Sequence, residues 1–243
     1  MNFIEYFKST FWVKGLGNVH RYTAFTLAEI LIVLGIIGII AQITIPNLIS
    51  NFEEQSTITR LKKFYSTLEQ ASIKQRMNYE DMTFASVLSN FNVIKKCVGA
   101  FSCADQTYKN FNKQNNVQWG INDIFTQAHY AILNDGSILR EGVGGANCNI
   151  VRGAGRGLTS ICSEFSIDIN GNKKPNQTGR DVFYFYITKD AGVIPFGTND
   201  ETSYPFSTCL SSGLGCAAWV IYNENMDYLK CSDLSWDGKK KCD

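Results

Sequence analysis

The chain has 243 residues, of which 44% are hydrophobic and 19% charged, a composition of an ordered protein with enough length for one sizeable domain. Its 23 Lys and Arg against 22 Asp and Glu give a formal charge of +1, which argues against a broad nucleic-acid-binding face. Two histidines and the absence of any Cys-x-x-Cys pair leave little material for a zinc site or for histidine-based catalysis.

Residues Met1 to Ala24 carry Lys8, Lys14, His20 and Arg21 against a single acid, Glu5. Basic residues beside a membrane span hold their side in the cytoplasm, so the bulk of the chain is expected beyond it. From Phe25 to Ile45 the sequence is almost unbroken Ile, Leu, Val, Ala and Gly. At 1.5 Å per residue, such a helix is long enough to cross a hydrocarbon core of about 30 Å. Glu29 stands inside this run, where a carboxylate costs roughly 2.5 to 3.5 kcal/mol unless it lies near the interface or finds a partner. A secretory signal places its apolar region before the cleavage site and is discarded; here the small residue Ala24 precedes the apolar region, so a cut there leaves the helix on the mature protein.

The order Ala24, then Phe-Thr-Leu-Ala-Glu-Ile-Leu-Ile-Val-Leu-Gly-Ile-Ile-Gly-Ile-Ile-Ala, resembles the N-terminal cleavage and methylation segment of type IV pilins and type II secretion pseudopilins. The likeness covers Ala24 to about Ile49, with Ala24 where the family usually has glycine. It implies cleavage between Ala24 and Phe25 by a prepilin peptidase and N-methylation of Phe25. It also implies that Glu29 pairs with the N-terminal amine of a neighbouring subunit. The expected partners are other copies of the chain and related pilins, the peptidase and methylase, an inner-membrane assembly platform and membrane lipid. Nothing in the sequence points to nucleic acid. The plainer reading of the same stretch is an uncleaved signal anchor.

Pro46 follows the span, and a proline within a helix removes a hydrogen bond and favours a kink or local opening. Gly35 and Gly38 weaken the preceding turns further. In family filaments a proline at this place ends a stretch that loses helical structure on assembly, and Pro46 matches it. Between about Glu53 and Met77, Ile58, Leu61, Phe64, Tyr65, Leu68 and Ala71 recur at spacings of three and four, the signature of an amphipathic helix. The expected organisation is a leader over 1–24, a helix over 25–77 (transmembrane over 25–45, amphipathic over 53–77) and an extracytoplasmic domain over 78–243.

Beyond Asn78 the sequence reads as short strands and loops. Asn134-Asp135-Gly136 between two apolar triplets is a hairpin signature, and Val182 to Thr188 is the strongest strand, turning through Lys189 to Gly192 into Val193. Glu141 to Ala146 and Arg152 to Gly157 are glycine-rich and lack the Lys-Ser/Thr ending of a phosphate loop, so both are expected to be flexible loops. The fold class is therefore α+β, a long N-terminal helix on a mostly antiparallel sheet, pilin-like and disulfide-rich.

The eight cysteines, Cys97, Cys103, Cys148, Cys162, Cys209, Cys216, Cys231 and Cys242, all follow the span, as expected of disulfides in an exported domain. Proximity in the chain favours Cys97 with Cys103, Cys148 with Cys162, Cys209 with Cys216 and Cys231 with Cys242, while other connectivities stay open. Asp168, Asn170 and Asp181 flank a turn glycine and could surround a hard cation such as calcium; their segment resembles one seen in pilin-like ectodomains, a family with calcium-binding members. The alternative is a turn tied by Asx side chains.

These readings converge on a non-enzymatic structural subunit of a type IV pilus-like filament or secretion pseudopilus, held in the inner membrane with its N-terminus cytoplasmic and later built into a periplasmic or cell-surface filament. The alternatives are a membrane-anchored extracytoplasmic enzyme, and a minor tip pilin acting as adhesin or DNA-capture module.

Overall fold

A computed structural model describes residues 26–77, 83–98, 129–144 and 147–242. Residues 26–52 and 53–242 fall in two units, taken separately below.

Helix α1 spans Leu27–Met77, including Pro46. Its residues up to Phe52 form an apolar segment whose side chains are largely exposed: Leu27, Leu34, Ile43 and Leu48 all lie open on its surface. This is the one helix among the described residues that is long and apolar enough to cross a membrane.

The second unit is built on a six-stranded antiparallel sheet in chain order. Its strands are β1 (Val93–Val98), β2 (His129–Leu133), β3 (Ile138–Gly144), β4 (Ile161–Asp168), β5 (Val182–Thr188) and β6 (Val193–Pro195). The expected hairpin joins β2 to β3: Gly136 takes φ +85°, and Asp135 Oδ1 accepts from the Ser137 N–H at 3.1 Å and its hydroxyl at 2.6 Å. β5 coincides with the expected strand, and the turn after it closes through Thr188 N–H to the Gly192 carbonyl at 2.9 Å.

Both faces of the sheet are covered, which is why β5 reads as a continuous apolar run. Phe183, Phe185 and Ile187 point to one core, where they meet Ile58, Leu61, Phe64 and Leu68 of α1. Val182, Tyr184 and Tyr186 point to the other, against Leu158, Ile161 and Phe196. The amphipathic stripe of α1 lies where the periodicity places it, with Ile58, Leu61, Phe64, Leu68 and Ala71 buried and Tyr65 half-buried. The helix also caps the short edge strand: the Val193 N–H donates to Glu69 Oε1 at 3.2 Å, and the Tyr65 hydroxyl donates to the Val193 carbonyl at 3.3 Å. An edge closed by side chains in this way cannot template another strand.

Among the described residues three short helices depart from the expectation: α2 (Phe84–Leu88), α3 (Phe206–Ser211) and α4 (Ala217–Asn223). α4 is apolar nearly throughout, with Ala217 to Ile221 buried, and a short run of that kind carries no readable period. The expectation of two flexible glycine-rich loops is corrected. Glu141–Gly144 ends β3, where a Cβ on Gly142 would sit 3.0 Å from Glu164. Arg152 to Gly157 is a loop, but a tied one: Arg152 N–H donates to the Leu158 carbonyl at 2.8 Å, and Gly153 bridges to Glu201 because a side chain there would collide with the Asp200 carbonyl. Gly145 and Ala146 lie outside the described residues.

Three disulfides join the expected neighbours: Cys148–Cys162, Cys209–Cys216 and Cys231–Cys242. Cys97 is also disulfide-bonded, and no free cysteine occurs among the described residues; Cys103, its expected partner, lies outside them. Each bridge restricts the unfolded chain and contributes on the order of 2 to 4 kcal/mol, less for the shortest loop.

Candidate assembly site and the buried polar clusters

The start of α1 is closed by its own side chains. Glu29 Oε2 accepts from the Thr26 N–H at 2.7 Å and from the Thr26 hydroxyl at 2.9 Å, while Thr26 Oγ1 accepts from the Glu29 N–H at 3.3 Å. This is a reciprocal capping box: the residue before the helix and its third helical residue satisfy each other's backbone donors, and the carboxylate sits at the positive end of the helix dipole. The signal was present in the sequence as Thr26-Leu27-Ala28-Glu29, and the sequence reading missed it. It removes much of the apparent conflict of an acid in an apolar helix, since the carboxylate is used at the helix end. Ala24 and Phe25, the expected processing residues, lie outside the described residues.

Further along, Gly35 and Gly38 have no heavy atom within 4 Å of where a Cβ would stand, so the helix surface is open at both. Pro46 offers no N–H to the Gln42 carbonyl, yet the helix continues through it. Close by, the Thr44 hydroxyl donates to the Ile40 carbonyl at 3.0 Å, a bond that competes weakly with the helical ladder.

Asp168, Asn170 and Asp181 are brought together where β4 passes into β5. Asp181 is almost fully buried and both its oxygens are engaged: Oδ2 accepts from the Asn176 N–H at 2.7 Å and from Asn170 Nδ2 at 3.3 Å, and Oδ1 accepts from the Gln177 N–H at 2.5 Å. Asp168 Oδ1 accepts from the Asn170 N–H at 3.2 Å. The carboxylate thus faces N–H donors, and Asn170 turns its amide nitrogen to it. Here both Asp181 oxygens are taken by N–H donors, while Asn170 Oδ1 is buried with no hydrogen-bond partner. Among the described residues no group of three or more His, Cys, Asp or Glu could hold a metal. What the arrangement does is fix the loop, which is pinned further by Thr178 Oγ1 donating to the Ser212 carbonyl at 2.6 Å and Tyr228 donating to the Gly179 carbonyl at 2.7 Å. Gly171 is required here, with φ +66° and the Gly136 carbonyl 2.1 Å from any Cβ.

A second buried cluster was not singled out in the sequence. On the face of the sheet away from α1, Glu201 accepts from the Tyr186 hydroxyl and, at 2.7 Å, from the Gly197 N–H. Nearby Arg152 pairs with Glu164 through Nε at 2.8 Å and a terminal nitrogen at 2.7 Å, and lies over the Tyr204 ring. Burial raises the Glu201 carboxyl to about 7 against the pull of its hydrogen bonds, and burial likewise raises Asp181 to about 6 and Glu164 above the usual carboxylate range. Only long-range pairing identifies these residues, so no local pattern could have found them.

Carboxyls raised in the folded state stabilise it fully below their unfolded values and lose that contribution as pH rises through their folded values. The exposed Asp233 and Glu224, held low by Lys239 and Lys62, act oppositely and only in more acidic solution. Thermal stability should therefore fall from pH 5 to pH 8. Glu201→Gln should flatten that slope by up to about 3 kcal/mol over the interval, as measured by thermal unfolding across pH; an unchanged slope would show that Glu201 does not titrate there.

In the second unit the Asp181 and Glu201 carboxyls hold loops through N–H and hydroxyl donors, and among the described residues the apolar part of α1 stays exposed. Compared with protein-family models, with curated proteins and with solved structures, the chain gives no match.

Proposed function

We propose that the chain is a pilin-like structural subunit of a type IV pilus-like filament or secretion pseudopilus, matured by a prepilin peptidase and assembled through its N-terminal helix. The observation that carries this reading is the apolar part of α1, whose large side chains are exposed among the described residues. In the membrane lipid would cover it; in a filament, neighbouring helices would. Gly35 and Gly38 support close helix approach, since packing in an apolar medium relies on small residues and van der Waals contact.

Glu29 supports the same reading. Its carboxylate accepts from the Thr26 N–H and hydroxyl in the capping box and is the one acid of the apolar segment. A neighbour's amine could then offset its charge only when subunits stack in register. The subunit would reside in the inner membrane as a single-pass protein with its N-terminus cytoplasmic, and pass into a periplasmic or surface filament. The test is to tag the C-terminal domain and image cells for filaments. The reading expects many copies along each filament; label confined to tips would indicate a minor subunit, and label confined to the membrane under assembly conditions would refute assembly.

A further inference from the structure

Between β6 and α3, residues 197–204 form a loop that is mostly open to solvent. Asn199, Asp200, Thr202 and Ser203 are exposed and Thr198 and Tyr204 half-buried, whereas Glu201 among them is buried. That one side chain reaches the sheet: the Tyr186 hydroxyl of β5 donates to it, and its other oxygen accepts from the Gly197 N–H at 2.7 Å, closing the loop on itself. The outer side of the loop is tied to the Arg152 carbonyl, which accepts from the Thr202 N–H at 2.8 Å, the Ser203 N–H at 3.2 Å and the Thr202 hydroxyl at 3.0 Å. Water can replace those bonds, since Thr202 and Ser203 are exposed. The Thr198 hydroxyl is buried with no hydrogen-bond partner, so it adds nothing to the fastening. Seating the loop on the sheet therefore falls to Glu201.

The groups around Glu201 make its charge decisive. Its donors, the Tyr186 hydroxyl and the Gly197 N–H, are neutral. The nearby cation, Arg152, gives both Nε and a terminal nitrogen to Glu164 of β4 and lies over the Tyr204 ring. Glu164 adds a like charge to the cluster, burial keeps the hydroxyls of Tyr186 and Tyr204 protonated, and Asp200, the neighbour in the chain, is exposed. An ionised Glu201 would thus be a buried anion whose hydrogen-bond donors are neutral, far costlier than the acid form. As the acid it can offer its proton to the Tyr186 oxygen and keep the contact. Burial raises its carboxyl from 4.5 to about 7, so the change of state falls between mildly acidic and neutral solution.

We propose that Glu201 is a proton-operated latch: as the acid it seats the loop 197–204 on the sheet, and on giving its proton to water the carboxylate leaves Tyr186 for solvent and takes the loop with it. Opening uncovers the sheet face at Tyr186 and the Arg152–Glu164 pair, while β4 and β5 stay paired. In the open loop the carboxyl returns to its ordinary value, so opening releases a proton. The sign follows: the closed loop is favoured fully in acid, opening grows as pH rises from about 5 to 7, and it levels off once the closed form is ionised too.

The test is hydrogen exchange of the full chain in detergent between pH 5 and pH 8.5, each rate divided by the intrinsic rate at that pH. The reporters are the amides of Gly197, Glu201, Thr202 and Ser203, with Val182 to Thr188 as the reference. Protection of the loop amides should fall by about tenfold per pH unit from pH 5 to 7, the linkage of one proton, and then stay level. At every pH the loop should exchange faster than the reference strand, and its rate should not respond to low urea, as befits a local opening. Glu201→Gln keeps an acceptor and cannot ionise, so it should remove the slope. Flat protection of the unaltered loop from pH 5 to 7 would overturn the proposal. So would a slope that persists in Glu201→Gln, or a loop that exchanges only together with Val182 to Thr188. Should the variant fail to fold, the pH and urea profiles of the unaltered chain decide the matter.

Discussion

Glu29→Ala is expected to leave the subunit inserted and its domain folded while lowering filament number at least about tenfold, an effect that 1.4 kcal/mol of lost pairing suffices to produce. The domain's core is made by residues 53 onward, so the substitution does not touch it. What it removes is the acceptor for the Thr26 N–H and hydroxyl and the one acid in the apolar segment. Loss of the capping box alone costs about 1 kcal/mol of helix stability at one end. That loss would be small for a helix lying in a membrane, where backbone groups have no alternative partner. Glu29→Gln separates the two roles: it keeps an acceptor for the cap but not the charge. If pairing with an amine drives assembly, Gln should behave like Ala; if the cap is what matters, Gln should assemble normally. Counting filaments per cell alongside membrane-fraction blots distinguishes these outcomes.

Asp181→Ala should destabilise the domain by roughly 2 to 4 kcal/mol, because the buried N–H groups of Asn176 and Gln177 lose their acceptor together. For a domain of this size that corresponds to about 5 to 15 °C in Tm. Asp181→Asn should cost less, since an amide oxygen still accepts one of the two bonds while its NH2 faces the other donor. Thermal unfolding followed by circular dichroism checks both. If calcium were held here, its removal should reproduce part of the Asp181→Ala loss in the unaltered chain; the donor geometry predicts no shift in Tm on chelation.

The elements readable in the sequence are those whose cause is local. The stripe from Ile58 to Ala71, the Asp135-Gly136 turn and the strand Val182–Thr188 follow from period and turn chemistry, and they stand where expected. The three bridges between chain neighbours stand too, since short loops close most readily. α4 was not readable because Ala217 to Asn223 is too short and too uniformly apolar to show a face. Of the polar sites, Asp181 was visible as an acid in a turn, but the partners that define it are backbone N–H groups, which no sequence pattern displays. Glu201 was invisible altogether: its hydroxyl partner, Tyr186, is 15 residues away on a strand whose alternation only folding reveals. The capping box is written locally as Thr26-Leu27-Ala28-Glu29, inside an apolar run that masks it.

The most direct test of the central claim is the intact mass of the protein taken from its native membrane. A pilin-like subunit should have lost Met1 to Ala24 and begin at Phe25, with the added mass of one N-methyl group. A mass that retains Met1 to Ala24 would contradict the account and leave α1 as the anchor of a membrane-tethered domain.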